Sequence, residues 1–324
     1  MKKKTISRNL LRVEWTRLKM LVHAHLLNPL WYSEDHRRER RCQAMGRILT
    51  DYMKKYYLKA ADSVVPRPVE HQDSQEKIYT LWLQGENQAP PIVKACFKNI
   101  RKHCTQELVI LDADSIRNYV TLPEALWEKY RAGKITHAHF ADICRVELLY
   151  EHGGYWMDST CYATGPIPRH IQEQDFFVFM AGKRIHGNYS YIQNCFIRAR
   201  KGAYLLEAWR AMILDYWLHE EKRVDYFMHQ VMFRTLVHEN PTAAQYFAAF
   251  PHIDQYPTHL YLYEYKDKPW DPEVFRKATD DGFFYQKTTY RELEKIVPGS
   301  FAHHLVEEGL TAQTGTAREF GQQA

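Results

Sequence analysis

The chain has 324 residues, 45% of them hydrophobic and 14% aromatic, which is enough to bury a sizeable core and too apolar for intrinsic disorder. No run of about 18 apolar residues occurs, so no transmembrane helix is expected. Charge is uneven: residues 1–70 carry sixteen Lys/Arg against seven Asp/Glu, while the remainder is net acidic.

The opening MKKKTISRNLLRVEWTRLKM starts like a signal peptide. Arg12, Glu14, Arg17 and Lys19 then interrupt the part that would have to be apolar, so export is not expected. Leu11, Trp15, Leu18, Val22 and Leu26 recur at helical spacing among basic residues; Asn28-Pro29 punctuates the run, and a second helix is predicted over roughly 37–59. Residues 1–70 are read as a basic helical region that could meet an anionic membrane surface through residues 1–60; the alternative is an ordinary solvated face. A linker is expected from Ser63 to Glu76.

The main domain is expected over 71–307. KIYTLWL (77–83) reads as a strand, ended by the turn residues that follow it. Residues 91–103 have helical spacing, ELVIL (107–111) reads as a second buried strand, and Asp114 is predicted to cap the segment after it. A helix is predicted over 137–151, stopped by Gly153-Gly154, then a strand at Tyr155-Trp156-Met157. Strands are predicted at 176–180 and 194–198, helices at 204–218 and 226–238, and a polar, poorly ordered tail over 308–324. Alternating strands and helices at this pitch predict an α/β fold with a mainly parallel sheet.

The six cysteines form no C-x-x-C pair, so neither a zinc knuckle nor a redox dithiol is suggested. Buried free thiols in a reducing, cytosolic compartment fit best. No G-x-x-x-x-G-K-[ST], G-x-G-x-x-G, H-E-x-x-H or G-x-S-x-G motif is present.

Asp158 is the residue that draws attention. A carboxylate at the carboxyl end of a strand in an open α/β sheet can face the ligand crevice, although Asp also commonly caps a turn. In the preceding helix Asp142 and Arg145 stand three apart within an apolar segment, where charges are costly unless paired or serving a ligand. They form either a structural ion pair or, with Asp158, a grip on a phosphorylated, hydroxyl-rich molecule.

The run A-x-F-A-D-x-x-R-x-x-x-L-Y-x-x-G-G-x-W-x-D-x-T resembles the signature of glycosyltransferase family 32 and its capsular polysaccharide synthesis branch. The first strand and helix, with Trp82, Gln84 and Gly85, ELVILDADSIRNYVTLP and VDYFMHQVMF are similar to that branch too, so the resemblance covers roughly 77–262. It implies a GT-A-like fold, a nucleotide-sugar donor, a glycan or lipid-linked glycan acceptor, retention of anomeric configuration and usually Mn2+ or Mg2+. By the same resemblance Asp142 and Arg145 hold the donor sugar or its ribose, Asp158 is the first carboxylate of a DXD motif, and Trp82 and Gln84 flank the donor. Thr160 departs from the strict motif, where a second carboxylate would stand.

His303 and His304 are candidates to complete a metal site from near the C-terminus. Asp225 and His229, four apart on a predicted helix, are candidates on the acceptor side, and Asn194 opens a strand beside the donor. Lys183 and Arg184 lie in a lid-like loop before it. The expectation is a glycosyltransferase, cytoplasmic or peripheral at the inner face of the membrane, with no role in nucleic-acid binding. The rivals are a metal-dependent phosphohydrolase and a non-catalytic scaffold with a degenerate domain.

Overall fold

The computed structural model describes residues 8–25, 33–69, 76–182, 189–280, 283–291 and 293–319. Asn28-Pro29 and the loop carrying Lys183 and Arg184 lie outside them.

Two long helices open the chain, α1 (Arg8–His25) and α2 (Glu34–Tyr56), followed by the short α3 (Leu58–Asp62). Ser33 caps α2 by accepting from the His36 amide at 3.3 Å, and Glu34 and Asp35 fill its positive first turn. These helices share the central core, where Val13, Leu49, Tyr52, Met53 and Ala61 are buried. Tyr52 and Tyr57 donate to the fully buried carboxylate of Glu220, which fastens the basic region to the rest of the domain. On α1 the inward face is Val13, Thr16 and Met20; Leu11, Trp15, Leu18 and Leu21 face outward, each about half exposed.

The domain continues through β1 (Ile78–Leu81), α4 (Pro91–His103), β2 (Leu108–Leu111), α5 (Glu124–Arg131), α6 (His137–His152), β3 (Gly154–Met157) and β4 (Cys161–Ala163). Then come α7 (Arg169–Gln172), β5 (Phe176–Met180), β6 (Ile192–Ala199), α8 (Tyr204–His219), α9 (Met228–Glu239) and α10 (Pro241–Ala249). Finally α11 (Pro272–Asp280), β7 (Tyr285–Lys287) and α12 (Phe301–Glu319) close it. The main sheet has the order β2-β1-β3-β6-β5, and β4 pairs with β7 in a separate ribbon.

Three local expectations change. The sheet is mixed, not mainly parallel: β2, β1 and β3 run together, but β6 is antiparallel to both β3 and β5. The cap after β2 is Asp112, whose Oδ1 accepts from the Asp114 and Ser115 amides, and not Asp114. The segment from residue 308, expected as a polar, poorly ordered tail, continues α12 as far as Glu319; at its start Glu308 accepts from Asn99 of α4 at 2.8 Å and from Tyr162 of β4 at 2.7 Å.

Strand order places the ligand crevice. From β1 the chain steps to β2 on one side, then returns to β3 on the other, so the topological switch lies between β1 and β3. Both end on the same edge, carrying Trp82 out of β1 and Asp158 out of β3. The turn that launches β3 has no room for side chains: Gly154 sits at φ +98°, and a Cβ there would lie 2.5 Å from the Lys77 carbonyl oxygen. Gly154→Ala is therefore expected to destabilise the protein by roughly 1–3 kcal/mol, read as a lower thermal midpoint. A midpoint equal to that of the unsubstituted protein would show that the strand starts without this constraint.

Candidate active site

α6 is a buried helix, begun by Thr136 at its N-cap and ended by Gly153 at φ +67°. It packs on the sheet beside β3, so side chains on its inner face reach the edge where Asp158 emerges. The indole of Trp156 turns its Nε1 onto Asp158 Oδ1 at 2.8 Å, and the Asp158 amide donates to the Cys195 carbonyl at 2.8 Å. The carboxylate is thereby aimed and yet remains 23% exposed.

Arg145 joins the two carboxylates. Its Nη1 lies 3.1 Å from Asp142 Oδ1, its Nη2 lies 3.2 Å from Asp158 Oδ1, and Nη1 also donates to the Asn194 carbonyl at 2.5 Å. The guanidinium rests 5.0 Å from the Trp156 ring centre, while its buried Nε has no acceptor among the described residues. Asn194 returns a donor from Nδ2 to Asp142 Oδ1 at 2.9 Å, and its Oδ1 accepts from Gln230. His229 completes the cluster: Trp217 donates to its Nε2 at 2.9 Å, which puts the proton on Nδ1, 3.1 Å from Asp142 Oδ2.

Electrostatics follow from these contacts. Burial opposes the charge on Asp142, but Arg145 and His229 hold it below the usual carboxylate range. Burial likewise opposes charge on Asp158, and Lys287 and Arg145 together keep it below that range. Both are anions near neutral pH. His139, behind His229, is pushed down to about 4 by burial, so it stands there as a neutral ring bonded to Thr136 and the Tyr226 carbonyl.

Lys287 had no signal in the sequence. It closes β7, whose pairing with β4 sets it opposite Cys161, and its Nζ lies 2.7 Å from Asp158 Oδ2 and 2.7 Å from Thr160 Oγ1. Its partners lie more than 120 residues upstream, and no local spacing announces such a pairing.

The other candidates are spread more widely. Trp82 stands at the crevice edge with its buried Nε1 unpartnered among the described residues and its ring 5.1 Å edge-on to Tyr290; Gln84 is exposed just beyond it. Asp225 lies in the turn before α9, not on the helix, because its Oδ1 accepts from the Phe227 amide at 2.8 Å; burial raises its pKa. It makes no contact with Asp142, Arg145 or Asp158 among the described bonds. His303 sits on α12, 3.9 Å from Glu307, and His304 stacks on Trp270, so no contact among the described residues brings either to Asp158.

A divalent ion needs several free oxygen donors. Asp158 Oδ2 and Thr160 Oγ1, the oxygens that a DXD-type ion would use, both already accept from an ammonium. Among the described residues no group of three His, Cys, Asp or Glu side chains could hold a metal. The residues at this edge therefore do not fit a resident divalent ion, and His303 does not supply the missing ligand.

A family model described as capsular polysaccharide synthesis protein matches residues 31–305. The O-glycosyltransferase PaGT of Phomopsis amygdali is 25% identical over 164 residues, which is 45% of this chain and 39% of that protein. The glycosyltransferase afumC of Aspergillus fumigatus is 24% identical over 131 residues, 37% of this chain and 32% of that protein. The chain thus spans well under half the length of these two relatives. No solved structure matches.

Proposed function

Since the chain belongs to the capsular polysaccharide synthesis protein family, we propose that it is a glycosyltransferase taking a sugar from a nucleotide-sugar donor, a UDP-sugar first among candidates, to a hydroxyl of a surface glycan. The observation that carries this reading is the convergence of Asp142, Arg145 and Asp158 at the switch point of the sheet. A carboxylate pair bridged by one guanidinium suits ribose or sugar hydroxyls beside a phosphate. Trp82, whose indole N–H has no partner among the described residues, supplies a further donor at the same edge. Retention of configuration rests on the family resemblance alone, and NMR of the first product formed reads it directly: an inverted linkage overturns that part.

The test is a panel of nucleotide sugars with glycan acceptors, followed by nucleotide release. Release that depends on the acceptor supports transfer. Phosphate release from the same donors without nucleotide-dependent transfer would favour a phosphohydrolase, for which the described residues offer no multi-carboxylate or histidine cluster.

The acceptor side extends the reading. A cavity of about 930 Å3 lies between α1, α2 and the turn before α9, bounded by Leu18, Met20, Leu21 and Met45 and rimmed by Arg17, Arg38, Arg41 and Arg223. One of its lining residues, Tyr226, meets the site's surroundings: its carbonyl bonds His139, whose ring lies against His229. Apolar walls under a rim of four arginines, with Glu14 and Asp225 also lining it, suit a lipid-linked glycan at an anionic bilayer, with Leu11 and Trp15 turned outward beside it. No helix among the described residues is long and apolar enough to cross a membrane. Trp15→Glu with Leu18→Glu is expected to weaken binding to anionic vesicles by at least about tenfold, since each buried apolar side chain contributes about 1.5–3 kcal/mol. Co-sedimentation at low salt checks this; equal binding by both proteins removes the membrane role.

A further inference from the structure

Strict DXD sites assemble two carboxylates around a dication, a unit with no net charge. Here Thr160 stands where the second carboxylate would be, and the position between Asp158 and Thr160 is filled by the ammonium of Lys287, at 2.7 Å from each oxygen. One carboxylate and one ammonium again sum to zero. Losing a negative charge at position 160 and exchanging a dication for a monocation leave the charge of the unit unchanged.

Four further observations bear on this ammonium. Arg145 and the Trp156 indole both meet Oδ1 of Asp158, so the ammonium of Lys287 has Oδ2 to itself among the described contacts. An ammonium has three N–H donors, and only two are used among the described contacts. Lys287 is also not sealed away: 18% of its side chain is exposed on the crevice edge, beside 23% of Asp158. Its placement is deliberate in the chain, because the Thr288 amide and hydroxyl both bond the Thr160 carbonyl, at 2.8 and 2.9 Å, and pin the ribbon that carries it.

We propose that Lys287 takes the place of the divalent cation in this glycosyltransferase: its ammonium receives the diphosphate of the donor, and transfer needs no metal. This rests on the nucleotide-sugar reading above. In the step, the bond between the anomeric carbon and the β-phosphate oxygen breaks, and its electron pair stays on that oxygen. The acceptor hydroxyl oxygen forms the new bond to the anomeric carbon, and its proton passes to the departing diphosphate, a base that the step itself creates. Lys287 stays protonated and forms no covalent bond; with Arg145 it faces the negative charge that grows on the leaving group. Burial opposes the lysine's charge, but the Asp158 carboxylate outweighs it and keeps the ammonium protonated well beyond neutral pH.

The experiment is calorimetric titration of the full chain with UDP and other nucleoside diphosphates, in EDTA and in Mn2+, alongside turnover under the same conditions. Wild type is expected to bind and turn over within about twofold in the two buffers, and Lys287→Met, which keeps the apolar stem, to bind about 100-fold more weakly in either. The double variant Thr160→Asp/Lys287→Ala restores two carboxylates without the ammonium, and is expected to bind only when Mn2+ is present. Binding by wild type that appears only with Mn2+ overturns the role of the lysine, whatever the variants do. So does Lys287→Met binding as tightly as wild type. No binding of any nucleoside diphosphate in either buffer instead removes the nucleotide-sugar reading, and this proposal with it.

Discussion

Asp158→Asn is expected to lower sugar transfer by about 1,000-fold, the largest effect of any single substitution at this edge. The amide keeps the shape of the side chain, and its oxygen can still accept from Trp156 Nε1. What it cannot do is answer two cations at once: Arg145 Nη2 at 3.2 Å and Lys287 Nζ at 2.7 Å would share a neutral group, one half of which is itself a donor. Both cations would lose their fixed positions. The fold should survive, because the backbone amide of residue 158 keeps its bond to the Cys195 carbonyl. Nucleotide release and the thermal midpoint, measured together, check the outcome. Undiminished turnover by a folded Asp158→Asn protein would remove Asp158 from the mechanism.

The same carboxylate has a pH signature. The folded pKa values of Asp142 and Asp158 are depressed, so the stability they contribute is fully present above the ordinary carboxylate range and is lost as pH falls through their lower folded values. Neither residue creates a limb in the activity profile near neutrality. Asp158→Asn should accordingly flatten part of the acid loss of stability.

Arg145→Lys carries the second large effect, a loss of about 100-fold in turnover with a stability cost of roughly 1–3 kcal/mol. The guanidinium bonds Asp142, Asp158 and the Asn194 carbonyl from two nitrogens of one rigid plane, over the Trp156 ring. An ammonium on a flexible stem preserves the charge and cannot span those three acceptors. Asp142 would keep His229 and Asn194, which limits the structural damage. Steady-state kinetics separate the two possibilities. Turnover close to wild type with a lowered melting midpoint would make the arginine a structural tie alone.

Much of this was legible in the sequence, and the reasons are local. Asp142 and Arg145 share a helix whose apolar surroundings make the charges conspicuous, and Asp158 follows a strand ending in Trp and Met. Those signals lie within about two turns of helix or one strand of each other. The antiparallel direction of β6 was not legible, because a strand pattern has no sense of direction and β5 and β6 are joined through a loop of unrevealing composition. The capping by Asp112 was missed because two acids, Asp112 and Asp114, stand two apart, and only backbone geometry decides between them. Asp225 was placed on a helix by spacing, whereas its own side chain closes the turn that precedes one. Lys287 lay furthest from view, since the pairing of β4 with β7 depends on how the C-terminal third wraps the sheet.

That wrapping has a temporal side. Asp158 leaves the ribosome 129 residues ahead of Lys287, which at about 5–20 residues per second is a delay of roughly 6–26 s. Through that interval the residues of α6 and β3 that carry Arg145 and Asp158 are already made, but the ribbon of β4 and β7 has only one of its two strands. The edge proposed to receive the donor thus gains its ammonium only once β7 has been made, long after Asp158 and Thr160.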